Sequence, residues 1–592
     1  MKLSDYVVDF ISRQGVTHVF ELIGGAITHL VDSIHHRADM ECVSVHHEQT
    51  GAFAAEAYAR INGRLGVAMA TSGPGALNMV TGIGSCWFDS VPCLFITGQV
   101  NTYEYKFDRP IRQVGFQETD IVSVVTSITK YAELIIEPQS IRYHLEKAVW
   151  LAQNGRPGPV LLDIPMNIQR AEIDPDKLQG FFDSAEEDSR TDVPILDIES
   201  VKSVAVLMKN AQRPVILVGG GVRTARGIKE LQTLVELTKI PVVSTLMGLD
   251  ALPHDNPSFF GMIGSYGNRY SNMTLANCDT LLILGARLDS RQTGTRPDTF
   301  ARAAIKIHVD IDPHELNAKV RVEHVFNADV KEFLVALNQE LDGVIQSDLA
   351  SWYEVINAYR IKYPTPADAQ ELSGIDPNRF MELLAEQSSA GDVICLDVGQ
   401  NQMWAAQSFH LKKAQRMIIS GGLGAMGFSL PAALGAAKAL PGQRIISLSG
   451  DGGIQINIQD LEVIVSHNLP IKVLVLNNNC LGMVRQFQDM YFGGRRQSTV
   501  LGYGCPNLVK IAAAYGLPIF TISSIHRAKD ILTEAFLLDG PAYIEIKMEQ
   551  NTFVNPKLVV NRPIEDMSPH LDRKELADSM LIDLVDEGEI PA

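Results

Sequence analysis

Several protein classes are excluded by what this 592-residue chain lacks. Its seven cysteines are scattered without paired spacing. That rules against a disulfide framework and makes a reducing, cytoplasmic setting the expectation. Cys42, Cys86, Cys93 and Cys395 sit among apolar neighbours and read as small core residues. Positive charge is scarce: 51 Lys and Arg face 69 Asp and Glu, for a formal net charge of −18. A nucleic-acid surface needs clustered cations, so none is expected. No uncharged apolar run reaches the roughly 18 residues of a membrane span. The opening stretch MKLSDYVVDFISRQG has no apolar core of the secretory kind.

Short β-rich apolar runs are abundant, and they alternate with longer helical patterns. GVAMATS, PVLLDIP, PVILVGGG, TLLILGA, KIHVDID, RIISLSGDGG and IKVLVLNNN are all uninterrupted by polar alternation. Such runs suit parallel strands covered on both faces, so the fold class expected is α/β. The chain is too long for one core. Two polar stretches, 183–194 and 363–377, read as linkers. They divide the chain into blocks 1–182, 195–345 and 375–555, with a tail over 556–592 that mixes proline, charge and apolar residues and is expected to pack over the rest.

The sharpest local signal is in the third block. RIISLSGDGG is a strand entering a glycine-rich turn, and IQINIQDLEVIVSH after it is expected to continue as a helix. Backbone N–H groups of such a turn suit a diphosphate. Asp451 cannot face phosphate oxygens directly, because both are anions; a divalent cation such as Mg²⁺ between them resolves the conflict. The next strand, IKVLVLNNN, brings Asn477 and Asn478 to the same sheet edge, where open α/β sheets bind ligands. The competing reading is two ordinary turns built from Gly and Asn.

This Gly-Asp-Gly…Asn-Asn arrangement resembles the thiamine diphosphate (ThDP) and magnesium motif. The resemblance extends in order through HEQTGAFAAEAYAR, ATSGPGALNMVTGI, GFQETDIV, RPGPVLLDIPMNIQ, STLMGL, GARLDSRQTG, GQNQMWAAQ and GGLGAMGFSLPAALGA. On these motifs the chain is identified as a member of the acetohydroxyacid (acetolactate) synthase large-subunit-like group. That implies three doubly wound parallel-sheet domains, binding pyrimidine, FAD or another nucleotide, and diphosphate in turn. It implies Asp451, the Asn478 side chain and the Cys480 backbone oxygen as metal ligands. Glu48 would activate the cofactor, Phe116 and Gln117 would line the reaction pocket, and Met426 would sit under the bent cofactor. Gly25, Gln400, Asn401, Gly424, Gly450, Gly452, Gly453, Gly482 and Met483 would complete the ThDP site. A structural FAD would contact Gly220, Gly221, Arg223, Thr245, Leu246, Gly261, Met262, Gly285, Arg287, Asp289, Asp310 and Asp329. Arg291 would hold the acceptor carboxylate.

The blander readings are core packing for Met426 and Phe116, a helix cap for Gln117, a surface ion pair for Arg291, and an empty or ADP-binding middle domain. The resemblance implies decarboxylation of a two-oxoacid, pyruvate first among them, and transfer of the acyl carbanion to a second carbonyl. It also implies a homodimer or homotetramer with the active site between subunits; no motif assigns a regulatory subunit. Departures from the group fall on the acceptor side. Leu22 and Ile23 replace its Tyr-Pro, Met166 replaces a pocket lysine, and Phe487 replaces the tryptophan that selects the acceptor. Lys106, Arg109 and Arg112 add charge near the usual gate. An acceptor other than a two-oxoacid (a ketone, an aldehyde or a nucleotide-linked keto sugar) is therefore the alternative, ahead of flavin-dependent pyruvate oxidation and of a non-catalytic binding role.

Overall fold

The computed structural model describes residues 1–183, 196–343, 348–365 and 374–586. Both expected linkers lie mostly outside these residues. Three six-stranded sheets, parallel throughout, organise the chain. The first contains β1 (His18–Leu22), β2 (Glu41–Ser44), β3 (Gly66–Ala70), β4 (Cys93–Gln99), β5 (Tyr131–Leu134) and β6 (Val160–Pro165), in spatial order β2-β1-β3-β4-β6-β5. The second contains β7 (Pro214–Val218), β8 (Val242–Ser244), β9 (Phe259–Met262), β10 (Thr280–Leu284), β11 (Ile305–Asp310) and β12 (His324–Asn327), in order β12-β11-β10-β7-β8-β9. The third contains β13 (Val393–Leu396), β14 (Arg416–Ile419), β15 (Ile445–Gly450), β16 (Ile471–Asn477), β17 (Ile519–Ile522) and β18 (Ala542–Lys547), in order β14-β13-β15-β16-β18-β17.

Renumbered from its own first strand, the third sheet repeats the order of the first. The second has the 3-2-1-4-5-6 order of a dinucleotide-binding sheet. The expected α/β class and the three doubly wound sheets are thus borne out. Central strands such as β3, β4, β7 and β10 are buried along their whole length, as strands covered on both faces must be.

The helix Glu48–Asn62 locks the first unit to the third, crossing the helix Ser429–Ala439. Small residues permit the approach: a Cβ on Gly435 would stand 2.9 Å from Ala54 Cα. The tail does pack over the body. Leu558 N–H donates to Ser265 O at 2.7 Å, Lys557–Leu558 pairs antiparallel with Met567–Ser568, and the Tyr359 hydroxyl donates to Ser579 O at 2.6 Å.

One helical expectation needs correction. After Gly450 the chain makes a single turn at Asp451–Ile454, a 3₁₀ turn at Ile458–Asp460 and a helix at Leu461–Ser466. Asn457 causes the break, its amide donating out of the helix path to Gly427 O (2.9 Å) and Gln49 Oε1 (3.2 Å). After β7 and its glycines come two helices, Gly221–Thr224 and Ile228–Thr238, with Arg226 between them at a φ of 58°.

Candidate active site

β15 and β16 run in register, with Gly450 beside Leu476, so Asp451 and Asn478 emerge from neighbouring strand ends. β13 lies on the other flank of β15, and the chain reverses its winding direction between them. This is a switch point of the kind where doubly wound sheets bind ligands. Asp451 is buried, and burial raises its pKa to about 6; the Tyr503 hydroxyl acts in the opposite direction, donating to Oδ2 at 2.7 Å.

The Asn478 amide nitrogen donates to Gln400 Oε1 (3.2 Å) and Thr552 Oγ1 (3.4 Å), which fixes the amide plane. Its oxygen is left facing the Cys480 N–H at 3.3 Å. Asn401 ties β13 to β15 by donating to Asp397 O (2.9 Å) and Leu448 O (3.3 Å). Gly482 is required here: a Cβ would stand 2.6 Å from Gln400 Cδ and 2.9 Å from Asn478 Nδ2. The Met426 terminal methyl lies 3.4 Å from where a Cβ on Gly452 would be, so Met426 belongs to the cradle. Gly450 and Gly453 close against Asn401 and Asp397, whereas Gly424 and Gly25 face open space. Met483 is half-buried at the edge of the apolar core.

Glu48 opens its helix immediately beyond β2 and is 7% exposed. Its Oε2 accepts from Asn78 Nδ2 at 2.9 Å, and its Oε1 lies 3.1 Å from the position of a Cβ on Gly75. In the same turn a Cβ on Gly73 would stand 3.0 Å from Gln117 Cβ, so Glu48 and Gln117 flank one glycine-rich bend. Gln117 does not cap the following helix; Asp120 does. Phe116 is 84% exposed and is no core residue. Within one chain Glu48 makes no hydrogen bond to the cradle, although its neighbours Gln49 and Thr50 bond to Asn457 and Asp460.

A cavity of about 550 Å³ opens between the first two sheets. It is lined by Gly220, Gly221, Arg223, Thr245, Gly285, Arg287, Asp310 and Asp329, while Leu246, Gly261, Met262 and Asp289 lie elsewhere. The volume falls within the range of organic-ligand sites. Gly221 and Gly285 bring the ends of β7 and β10 together, since a Cβ on Gly221 would stand 2.7 Å from Gly285 Cα. Arginines outnumber carboxylates along the walls, Arg60, Arg64, Arg156, Arg226 and Arg416 joining those above. Asp310 is pushed up to about 6 by burial, and Asp329 is engaged as a helix N-cap.

Arg291 is exposed and pairs with no carboxylate among the described residues; its guanidinium lies 5.9 Å from the Tyr266 ring centre. Phe487 is 43% exposed and packs on Tyr491 at 4.7 Å between ring centres. Met166 is half-buried and Ile23 exposed. Lys106, Arg109 and Arg112 also form no ion pair with a described carboxylate, and Arg109 instead donates to the carbonyls of Tyr105 and Lys106. Sequence reasoning did not single out Tyr503, Thr552, Asn78 or Asp397. Of these only Asp397, an acid at the tip of an apolar strand, carried a local signal. Its carboxylate accepts from Gly427 N–H (2.9 Å) and the Ser429 hydroxyl (3.1 Å), and burial raises its pKa to about 6.

Two equivalent parallel sheets flanking a dinucleotide-type sheet form the architecture of the thiamine pyrophosphate enzymes. The chain matches that family's N-terminal TPP binding domain over residues 1–124, its central domain over 201–337 and its C-terminal TPP binding domain over 397–546. It is 37% identical over 588 residues to acetolactate synthase 2, chloroplastic, of Nicotiana tabacum, an alignment covering 96% of this chain and 85% of the tobacco protein. It is 37% identical over 575 residues to the chloroplastic acetolactate synthase of Arabidopsis thaliana (94% of this chain, 83% of the other). It is 36% identical over 558 residues to the acetolactate synthase large subunit of Porphyra purpurea (92% and 91%). The chain belongs to the acetolactate synthase-like group of the thiamine pyrophosphate enzyme family.

Proposed function

We propose that this protein is a ThDP-dependent carboligase that decarboxylates pyruvate and joins the two-carbon fragment to a second carbonyl, as an acetolactate synthase does. The observation that carries the reading is the cradle at the β13/β15 switch point. One carboxylate, one oriented amide oxygen and one backbone carbonyl form an all-oxygen donor set, which suits Mg²⁺ completed by phosphate oxygens. No group of three or more His, Cys, Asp or Glu side chains gathers for a metal among the described residues, so the phosphate oxygens are needed to complete the shell.

Bound there, ThDP supplies a nucleophilic carbon and an electron sink for decarboxylation. Asp451, Asn478 and the Cys480 carbonyl would hold the metal, and Gln400 and Asn401 would border the diphosphate. Met426 would prop the cofactor, Gly450, Gly452 and Gly453 would admit it closely, and Met483 would wall it. Glu48, its carboxylate oriented by Asn78, would hold a proton toward the pyrimidine. Phe116 and Gln117 face the substrate, and Arg291 takes the acceptor carboxylate with its planar donors. Glu48 makes no hydrogen bond to the cradle of its own chain, which supports a site completed by a second subunit, in a homodimer or a dimer of dimers. Exposed Phe107, Ile111, Val114, Phe116, Phe487 and Phe492 supply apolar surface for that contact.

The middle cavity would take FAD as a structural group, with its wall arginines available to the diphosphate. We place the protein in the cytoplasm on its seven free thiols, six of which, at Cys42, Cys86, Cys278, Cys395, Cys480 and Cys505, are raised in pKa by burial; no helix among the described residues is long and apolar enough to cross a membrane.

Labelled pyruvate with ThDP, Mg²⁺ and FAD, followed by mass spectrometry, tests the reading. CO₂ release with acetolactate is the expected result, and absence of CO₂ release refutes it. Phe487 and the unpaired Lys106, Arg109 and Arg112 favour a second version, in which CO₂ appears with little acetolactate and another anionic acceptor is required. Flavin bleaching on addition of pyruvate would instead indicate an oxidase.

A further inference from the structure

Lys557 is buried without a counter-charge. It is 7% exposed, yet no carboxylate lies within 4.0 Å of its ammonium among the described residues. Among those residues its only hydrogen-bond partner is the weak acceptor Met490 Sδ at 3.5 Å, whereas buried Lys472 donates to two carbonyls. Aromatic rings surround it, with ring centres at 5.5 Å (Phe487), 5.8 Å (Tyr491) and 5.8 Å (Tyr266). Arg291, also unpaired, lies over the same Tyr266 ring at 5.9 Å.

An ammonium buried without a carboxylate is disfavoured, as when one partner of a buried ion pair is removed, and burial lowers the Lys557 pKa accordingly. Ring faces attract the cation but do not neutralise its charge. Two cations without a carboxylate partner among the described residues thus lie about the one Tyr266 ring, and an incoming anion would offset their charge. Phe487 borders Lys557 on the other side, its ring centre 5.5 Å from the ammonium.

We propose that Lys557 and Arg291 form a two-cation subsite, walled by Phe487, Tyr266 and Tyr491, that selects a carbonyl acceptor carrying two anionic groups. This rests on the carboligase reading: Arg291 takes the carboxylate beside the reacting carbonyl, and Lys557 takes the second charge, a carboxylate or a phosphate. Lys557 is a specificity residue and does not touch the donor.

The test compares three acceptors with pyruvate as donor on the holoenzyme: 2-oxobutyrate (one carboxylate), 2-oxoglutarate (two) and phosphohydroxypyruvate (carboxylate and phosphate). The wild type should prefer at least one dianionic acceptor by 10-fold or more in kcat/KM, and which one separates the two anion chemistries. Lys557→Met, which keeps the side-chain length against the rings, should cut that preference at least 10-fold, chiefly through the acceptor KM. Lys557→Arg should restore most of it. No dianion preference in the wild type, or an equal loss for all three acceptors in Lys557→Met, would overturn the proposal. Calorimetric titration of each acceptor into the holoenzyme separates the two hypotheses. Absence of CO₂ release sinks the carboligase reading, whereas the subsite stands or falls on dianion-selective binding that Lys557→Met abolishes.

Discussion

Alanine at Gly435 and alanine at Gly84 are the same substitution in the same local setting, a helix interior, and they should act in opposite directions. Replacing a helical glycine gains about 1 kcal/mol from backbone entropy. At Gly84 the new methyl would meet Leu423 Cδ2 at 3.6 Å and Ile128 Cδ1 at 3.9 Å, both ordinary contacts, so the gain is kept. At Gly435 the methyl would stand 2.8 Å from Ala54 C and 2.9 Å from Ala54 Cα, and closer still to the carbonyl oxygen. Carbon atoms pack at about 3.5–4.0 Å, so the helices Glu48–Asn62 and Ser429–Ala439 must part by about 1 Å. The obstacle is backbone, so no rotamer change relieves it. Overpacking of this kind costs about 3 kcal/mol at the upper end, a net loss of about 2 kcal/mol after the helix gain. For domains of this size, about 2–4 °C of midpoint follows each kcal/mol. Calorimetric scans at one protein concentration should therefore show Gly435→Ala melting about 4–8 °C lower and Gly84→Ala about 2–4 °C higher. The displaced helix begins at Glu48, and a misplacement of about 1 Å can cost about 100-fold in rate. CO₂ release by Gly435→Ala should fall correspondingly at a temperature where it is still folded. If both variants shift the same way, the close crossing is wrong.

Glu48→Gln should lower CO₂ release at least 100-fold, in the range of a lost acid–base group, while the calorimetric affinity for ThDP changes less than 3-fold; a large loss of affinity would put Glu48 in binding instead. Tyr503→Phe removes the one phenol that donates to Asp451 and should weaken Mg²⁺-dependent ThDP binding about 10-fold, with an unchanged value refuting a positioning role. Asp250 joins Arg223 (2.8 Å) to Arg416 (2.7 Å) between the middle and third sheets. Burial alone would raise its pKa, but the two arginines outweigh burial and hold it below the usual carboxylate value. Its stabilising contribution is therefore full above the unfolded value near 3.8 and fades as pH falls through the lower folded value. Asp250→Asn strands two cations and should cost about 3–5 kcal/mol at neutral pH, with its deficit against wild type shrinking below about pH 4; a deficit constant with pH would argue against the bridge.

Much of this was legible because it is local. A strand tip ending in Gly-Asp-Gly, a second ending in Asn-Asn and a glutamate at a strand-to-helix junction each occupy a few consecutive residues, and parallel pairing carries them to sheet edges. The triple glycine was legible for the same reason, because the close approach of Gly221 to Gly285 demands residues without side chains. What escaped is long-range. Tyr503 reaches Asp451 across 52 positions, Thr552 reaches Asn478 across 74, and Lys557 meets Phe487 from another segment altogether. No periodicity or turn signal encodes such encounters. The helix expected after Gly450 failed for a related reason. Its apolar pattern is helical, but Asn457 bonds to Gln49, 408 positions away, and that tertiary bond overrides local preference.

The repeated topology explains why the chain's departures from its relatives fall where they do. The first and third sheets share one winding order, so each presents an equivalent edge. One edge carries Glu48 behind the Gly73–Gly75 bend, the other the Asp451–Asn478 cradle. Glu48 and Asp451 accept hydrogen bonds from Asn78 and Tyr503, and the Asn478 amide donates to Thr552 and Gln400, so a change in any of them disturbs a packed network. Arg291, Phe487 and Lys106 belong to no such network. Arg291 lies in the four-residue helical turn Ser290–Thr293, Phe487 stands on the exposed face of its helix, and Lys106 lies in a loop. On the proposed carboligase reading, substitution there would leave the donor machinery intact and change which second carbonyl is accepted. That asymmetry is why the proposed acceptor side, with Lys557 beside it, is where selectivity is to be sought.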